Sequence, residues 1–404
     1  MEKELAKHFV GLSGHLRAGA TGHYEEFHKG LYSALRESQE FEETLYLGSS
    51  LSEPAWFQAC VPPSLVSKQS WCNKKFRKNL QAIGENSSNS VFHIYEGNLF
   101  QMFMLSELLR KNQTSVGILN LFDSARLGKI LSSRVRKYIF KELFLIALKD
   151  LEGRLKITAD TYRMGMQLEN LLKVRIFTYP MYSILKENEM QSSDKNEYLF
   201  MIRGNQAMVN LIEALKSQNS NFLKRVTVHG VPTQEQIYFS ESVLGISVSK
   251  RHLSRAEYTA FFKRFSHVVF LYDPALFRDQ SSGRLCDALV SGAHVLVPTD
   301  CALWDSASEY GGFSEFRFDV VNEAINVIAE SRHLRYPRTS QPLPEANRAV
   351  SILLELSKND GPQQSHTRSS LKFWGTYSLY RKYQYVLRLH NAILIRINGG
   401  LSRG

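Results

Sequence analysis

Two aspartates eight residues apart, Asp279 and Asp287, flank a serine-glycine turn in the second half of the chain. Apolar runs at residues 267–272 and 295–298 predict strands on either side of this region. The turn, and a short helix beginning near Gly283, would then lie at the carboxyl edge of a parallel sheet. Unpaired backbone N–H groups and the helix dipole favour an anion such as phosphate at that edge. We therefore expect both carboxylates to face a ligand held there.

The turn between the two acids reads Gln-Ser-Ser-Gly-Arg. Gly283 permits close backbone approach, and the N–H groups of Ser282, Gly283 and Arg284 could hold a diphosphate. The same residues also suit an ordinary helix start, in which Ser281 or Ser282 caps the helix and Arg284 is solvated. Capping and phosphate binding are compatible, so both interpretations stay open. Asp287, taken alone, could equally be an exposed helix residue.

A second polar loop follows the first predicted strand, residues 8–12, and precedes a predicted helix. It is rich in small residues and contains His15, Gly22 and His23. A glycine pattern of this kind is a weak signal by itself, and its position after a strand strengthens it. His15 and His23 are candidate ligand contacts, or plain loop and capping residues. Glu96 ends a later strand at the same edge, where it could bind a hydroxyl group or favour the start of the next helix.

Bulk properties limit the classes of protein and partner. A chain of 404 residues suggests two domains, and 43% hydrophobic with 22% charged residues is ordinary for a soluble globular protein. The net charge of +11 suits polyanionic or phosphorylated partners, or simply a basic surface. The basic residues form no long tail, and the aromatic residues lie mostly in apolar runs. Nucleic-acid binding is therefore not expected.

The four cysteines form no Cys-x-x-Cys pair and no Cys/His ligand cluster. We therefore expect free thiols in a reducing cytoplasm, and neither a metal nor another cofactor. The first residues do not resemble a signal peptide, and no run approaches the roughly 20 apolar residues needed to span a bilayer. The sequence predicts a cytoplasmic protein.

Predicted strands and helices alternate along the chain twice, which indicates α/β architecture with two doubly wound parallel sheets facing a cleft. A polar stretch at 186–197 predicts the linker. We expect a first domain at 1–185, a ligand-binding domain at 186–368, and a carboxyl-terminal helix at 369–404. That last segment is aromatic and basic. It could contact a membrane surface peripherally, at the inner face.

One stretch carries a family resemblance. Residues 277–289 read FRDQSSGRLCDAL, preceded by YDP at 272–274 and followed by GAHVLVP at 292–298. This resembles the nucleotide-sugar half of GT-B glycosyltransferases of the group 1, retaining, family 4-like type. The match is strong over about 243–310 and weak in the amino-terminal half. It implies two Rossmann-like domains, a nucleotide-diphosphate sugar as donor, and a saccharide, glycan or lipid-linked acceptor, as in polysaccharide biosynthesis. It also implies that the domain at 1–185 lies on the acceptor side and that the helix at 369–404 crosses back onto it. Retention of anomeric configuration and no essential metal are implied as well.

The resemblance also implies residue roles. Asp287 would hold the donor ribose, and Asp279 would lie beside the donor phosphate or sugar. The catalytic candidates are Asp279, His23 and Arg203; the donor-binding candidates are Ser281, Ser282, Gly283, Arg284, Asp287, Lys250 and Gly22; the acceptor-binding candidates are His15 and Glu96.

The chain departs from the family at one position. A lysine that the family places after the first strand of the second domain falls on Met208 or Val209 here. Either Arg203, Arg284 or Lys250 supplies the missing positive charge, or catalysis has been lost. The alternatives to a transferase are a non-catalytic GT-B scaffold that binds a glycan or partner protein and, less favoured by the Ser-Ser-Gly-Arg turn, a sugar-nucleotide epimerase.

Overall fold

The computed structural model describes residues 8–12, 23–48, 58–59, 89–95, 97, 99–121, 134–149, 151, 153–190, 195–230, 233–249, 253–278, 282–299, 301–330 and 343–358. Structural statements below concern these residues. The predictions for Asp279, Ser281, Lys250, Gly22, His15 and Glu96 lie outside them, as does the segment 369–404, and the His23 side chain is likewise not described.

The first half of the chain builds a parallel sheet of seven strands in the described residues. They are β1 His8–Leu12, β2 Glu43–Gly48, β3 Gln58–Ala59, β4 Ser90–Ile94, β5 Val116–Asn120, β6 Leu155–Ala159 and β7 Phe177–Thr178. Their spatial order is β3-β2-β1-β4-β5-β6-β7, and every neighbouring pair is parallel. The order reverses between β1 and β4. A ligand crevice is expected outside the carboxyl ends of strands at such a reversal.

Helices cover both faces of this sheet. They are α1 His23–Ser38, α2 Leu99–Lys111, α3 Arg134–Leu148 and α4 Tyr162–Leu172. Strands β4, β5 and β6 are buried along their whole length. Burial on both faces is typical of strands in a parallel sheet, and here it includes polar side chains such as Lys156 and Thr158 of β6.

The second half builds a parallel sheet of six strands in the described residues. They are β8 Glu197–Arg203, β9 Val226–His229, β10 Ser247–Val248, β11 Phe265–Tyr272, β12 His294–Pro298 and β13 Phe313–Phe316. Their order is β10-β9-β8-β11-β12-β13, so the reversal falls between β8 and β11. The associated helices are α5 Asn205–Leu215, α6 Ser220–Leu223, α7 Gln234–Tyr238, α8 Arg255–Phe262, α9 Pro274–Phe277, α10 Gly283–Val290, α11 Ala302–Tyr310 and α12 Val321–Glu330. Two doubly wound sheets with flanking helices confirm the predicted fold class.

The last described helix, α13 Ala346–Ser357, packs on the first sheet instead of the second. Its buried residues Val350 and Leu353 share a core cluster with Phe27 and Leu31 of α1. The predicted domain bounds, which put residues 345–358 in the second domain, stay a prediction, although this helix packs on the first sheet. The physical reason is an apolar face that finds its partner on α1. The predicted boundary near residue 185 stays a prediction.

Between the two sheets the chain runs through residues 179–186, here called the crossing segment, and then a 3-10 turn at Glu187–Glu189. The segment has no regular secondary structure, yet Tyr179, Tyr182, Ser183 and Leu185 are each at most 3% exposed. It is therefore a packed part of the fold. Among the helices of the described residues, none is both long and apolar enough to cross a membrane.

Candidate functional site

The carboxyl edge of the second sheet presents an open turn where the strand order reverses. Arg203 ends β8 in register with Tyr272, which ends β11. Gly204 follows with φ +102°, in a backbone region that side chains disfavour, and an added Cβ would meet no atom within 4 Å. Helix α5 begins at Asn205 without a side-chain cap. An exposed guanidinium and uncapped N–H groups thus lie together where an anionic ligand is expected.

The corner at Ser282, Gly283 and Arg284 forms the start of α10, as the sequence predicts. Ser282 has extended backbone angles, φ −139° and ψ 121°, and its side chain makes no capping hydrogen bond. All three residues are partly exposed. Because the Ser282 hydroxyl does not cap the helix, its first N–H groups receive no side-chain acceptor from that residue. The geometry is compatible with an anion at this corner.

Asp287 has different surroundings from those expected of a ribose ligand. Its side chain is 1% exposed. Oδ1 accepts hydrogen bonds from Ser183 Oγ at 2.7 Å and from the Ile184 N–H at 2.9 Å, and Oδ2 accepts one from the Tyr258 hydroxyl at 2.7 Å. Ribose hydroxyls would have to displace these protein donors. The ribose assignment stays a prediction, and these contacts do not support it.

Tyr258 is held in its protonated, donating form. Burial raises the pKa of Tyr258 well above its usual value, and the negative charge of Asp287 raises it further. The positive charge of Arg284 acts in the opposite direction, which places that guanidinium within electrostatic reach of the pair. A bound phosphate at the corner would therefore lie close to this buried network.

The departure from the family lysine persists in the folded protein. Met208 is 1% exposed and belongs to the core beneath α5, whereas Val209 is 45% exposed on the same helix. An aliphatic side chain therefore occupies whichever of these positions would carry the lysine. Of the three proposed replacements, Arg203 and Arg284 are described, and both lie at the carboxyl edge of the second sheet.

One methionine bridges the two candidate half-sites. The Tyr95 hydroxyl, at the end of β4 and next to Glu96 in sequence, donates to Met181 Sδ. The Met181 methyl carbon would lie 3.3 Å from a Cβ built on Gly283. The acceptor-side strand end is thus joined to the donor-side corner through the crossing segment. No sequence motif marks Met181 or Ser183. Tyr258 lies within the stretch 243–310 that resembles the family, but the resemblance gives it no role, and we missed all three residues as contributors to the site.

A direct ion pair also links the two halves. Arg163 of α4 binds Asp305 of α11, with Nε 2.8 Å from Oδ2 and Nη2 3.2 Å from Oδ1. Arg163 lies in the first turn of α4, which follows β6, and Asp305 lies in the first turn of α11, which follows β12. The contact therefore lies on the carboxyl edges of both sheets. The edges therefore face each other, as a cleft requires.

Two further observations concern metal binding and a neighbouring groove. Within the described ranges, no group of three or more His, Cys, Asp or Glu residues is arranged to hold a metal ion. A groove of about 560 Å³ lies between α1, the end of the crossing segment and the start of α13. Its lining includes Lys29, Ile184 and Asn347 but neither Arg203 nor the corner at Ser282, so it is separate from the candidate donor site.

No protein-family model and no curated protein sequence matches this chain. Solved structures do match in three dimensions. The trehalose-6-phosphate phosphatase N-terminal domain of Candida albicans aligns with TM-score 0.57 and 10% identity, over 94% of this chain and 98% of that one. Sucrose-phosphate synthase from Thermosynechococcus elongatus gives 0.54 and 11%, over 94% and 100%. UDP-GlcNAc 2-epimerase from Neisseria meningitidis bound to UDP-GlcNAc gives 0.53 and 10%, over 86% and 98%. At such identities the likeness establishes the fold alone: this chain has the GT-B fold, with two Rossmann-like domains.

Proposed function

We propose that this protein is a glycosyltransferase that moves a sugar from a nucleotide-diphosphate sugar to a saccharide, glycan or lipid-linked acceptor, with retention of configuration. The observation that carries the proposal is the open carboxyl edge of the second sheet. There, Arg203, the left-handed Gly204 turn and the uncapped start of α10 converge at the reversal between β8 and β11.

The chemistry needs what this edge offers. Cleaving the bond between sugar and diphosphate develops negative charge on the leaving nucleotide, and preorganised donors or cations that meet that charge lower the barrier. Arg284 and the first N–H groups of α10 would bind the diphosphate, with Arg203 at the end of the neighbouring strand β8. Other residues complete the proposed site. Asp279 would lie beside the sugar, and the phosphates would be near Lys250, Ser281 and Gly22. The acceptor side would contain His23, His15 and Glu96. No metal or other cofactor is included.

The likeness to proteins that bind nucleotide sugars supports this choice of donor. The similar Anabaena structure contains UDP, and the Neisseria epimerase contains UDP-GlcNAc. We place the reaction in the cytoplasm, with peripheral contact to the inner membrane face if the acceptor is lipid-linked.

A non-catalytic scaffold is the second candidate, because Met208 and Val209 stand where the family has a lysine. An epimerase is the third, because epimerases are among the similar structures. The three differ in product: a transferase releases nucleotide only with acceptor present, a scaffold binds without turnover, and an epimerase converts the sugar without any acceptor.

The first test is binding of UDP, GDP and ADP to the purified chain, followed by Arg284→Ala. Loss of a charge-assisted hydrogen bond should weaken the preferred nucleotide by about 10- to 100-fold. Arg264→Ala is the matched control. That arginine, whose side chain is 50% exposed, lies beside β11, but it is paired with Glu197 at the amino edge of the sheet, away from the site. Equal affinities for wild type and Arg284→Ala would reject the corner as the diphosphate site.

The second test offers UDP-, GDP- and ADP-sugars with candidate saccharide acceptors and measures nucleotide release. Release that depends on the acceptor supports the transferase. Tight binding without release supports the scaffold, and a changed sugar nucleotide without acceptor supports the epimerase.

A further inference from the structure

Helix α10 meets the crossing segment along one face. Gly283, Cys286 and Asp287 occupy positions i, i+3 and i+4, which share a face of a helix. Met181 packs against Gly283, Cys286 Sγ donates to the Met181 carbonyl at 3.3 Å, and Asp287 accepts from Ser183 and Ile184. The helix that begins at the candidate diphosphate site is therefore attached directly to the chain that joins the two sheets.

The crossing segment is also fixed to the first sheet. The Tyr182 ring stacks on Phe27 of α1, with centroids 3.9 Å apart and an interplanar angle of 19°. Its hydroxyl donates to the Phe27 carbonyl at 3.1 Å. The Tyr179 N–H donates to the carbonyl of Ala159, at the end of β6, at 2.8 Å. A movement of the crossing segment relative to α10 would therefore move the first sheet as well.

The site around Asp287 requires a side chain with two acceptor oxygens. Three donors converge on it: a serine hydroxyl, a backbone N–H and a tyrosine hydroxyl. An asparagine would keep one acceptor oxygen and turn an amide N–H toward the Tyr258 hydroxyl, whose own hydrogen would then lose its acceptor. An apolar residue would leave all three donors buried without an acceptor. Tyr258 supplies its hydrogen from α8, so the carboxylate joins three separate segments.

We propose that Asp287 is a positioning residue that fastens α10 and α8 to the crossing segment and so sets how the first domain is oriented over the donor edge of the second. The inference goes beyond the proposed transferase, because the fastening exists in the protein without any ligand. It also gives the second acid of the Asp279–Asp287 pair a role that does not require contact with a nucleotide.

Amide hydrogen exchange of the ligand-free protein gives the first test. The Ile184 N–H is bound to Asp287, and the Leu185 N–H to Ser183 Oγ at 2.8 Å. Asp287→Asn should speed exchange of these two amides at least about tenfold, because a neutral amide oxygen accepts more weakly than a carboxylate and the hydrogen bond from Tyr258 is lost. Unchanged exchange at both amides would overturn the proposal.

Small-angle X-ray scattering measures the radius of gyration, which would not change if Asp287 only stabilised the core. Asp287→Asn and the milder Tyr258→Phe should each enlarge the radius of gyration of the folded protein, because the two domains would sample more orientations. A residue that only stabilised the core would lower the unfolding temperature and leave the radius unchanged, and that result would refute the fastening role. Tyr198→Phe is the matched control, because Tyr198 is 1% exposed and its hydroxyl finds no partner in the described structure.

Nucleotide binding separates this proposal from the competing ribose role. If Asp287 positions the domains, Tyr258→Phe and Asp287→Asn should change UDP affinity in the same direction. If Asp287→Asn weakens UDP binding while Tyr258→Phe matches wild type in UDP affinity and in radius of gyration, the Asp287 carboxylate is a ribose ligand and the proposal fails. Should no nucleotide bind the wild type, the transferase proposal fails, while exchange and scattering still decide the fastening role.

Discussion

Mild acid should destabilise this protein through three buried histidines. Burial lowers the pKa of His93 to about 3, with the positive charge of His28 as a second cause. Burial and Arg225 lower the pKa of His267 to about 4, and burial and His267 lower that of His294 to about 3. The three side chains are between 1% and 7% exposed. All three are therefore neutral in the folded protein at any pH where it is normally handled.

The sign and size follow from proton linkage. An unfolded histidine has a pKa of about 6.5, so between pH 6.5 and pH 4 the unfolded chain binds protons that the folded chain does not. The contribution of the neutral histidines to the free energy of unfolding is therefore complete above pH 6.5 and decreases as the pH falls. Lowering the pH from 7 to 5 should cost about 2 kcal/mol per histidine. Two of the three lie in the second sheet, so that domain should lose about 4 kcal/mol and the first about 2 kcal/mol.

Urea unfolding at pH 7, 6 and 5, followed by circular dichroism and tryptophan fluorescence, measures this dependence. Carboxylates contribute little above pH 5, because their unfolded pKa values lie near 4. His93→Phe is the informative variant: His93 packs against the Phe9 and Tyr179 rings, and its Nε2 has no partner in the described structure, so an aromatic ring without a titrating group fits there. The variant should remove the loss of about 2 kcal/mol in the free energy of unfolding that the first domain shows between pH 7 and pH 5. A free energy of unfolding that is flat from pH 7 to pH 5 would refute the reasoning.

Three further predictions concern single side chains. Gly204→Ala should lower the free energy of unfolding by about 1–2 kcal/mol, because φ is +102° there, whereas Gly30→Ala, inside α1 with open space around it, should raise it by about 0.5–1 kcal/mol. Gly230→Ala should destabilise the second domain, measured by its urea midpoint, because the new Cβ would lie 2.8 Å from the Ile202 carbonyl oxygen; a midpoint equal to that of wild type would contradict the close approach. Burial raises the pKa of the Cys286 thiol well above its usual value, so iodoacetamide at pH 8 should label it slowly in the folded protein and rapidly in urea, as read by mass spectrometry of its peptide.

The fold was predictable because its strongest signals are local. The runs that became β11 and β12 are apolar at 268–272 and 295–298, and the turn at Ser282 and Gly283 marks a helix start. The short edge strands were less predictable. The alternating run LGISV at 244–248 favours a strand of five residues, but the structure has a π-helical turn at Phe239–Val243 and a strand of only Ser247–Val248. An edge strand with one neighbour needs little apolar sequence, so it leaves a weak pattern.

The surroundings of Asp287 could not be predicted from the sequence, because its partners are distant along the chain. Ser183 lies 104 residues away and Tyr258 lies 29 residues away. Neither belongs to a motif, and an isolated serine or tyrosine carries no information about its partner. The same limit applies to α13: its apolar face was visible as a pattern, but only the tertiary structure shows that α1 covers it.

The helical register of α10 decides which of its residues can meet a ligand. Gly283 and Asp287 lie one turn apart on the same face, and that face packs against Met181, Ser183 and Ile184. Arg284 is rotated about 100° from Gly283, so its side chain leaves the helix in another direction. A diphosphate at this corner would then be bound end-on, by the first N–H groups and Arg284, and not by the face that carries Asp287. If Asp287 keeps its protein donors when the nucleotide is bound, hydrogen bonds to the ribose would have to come from another residue.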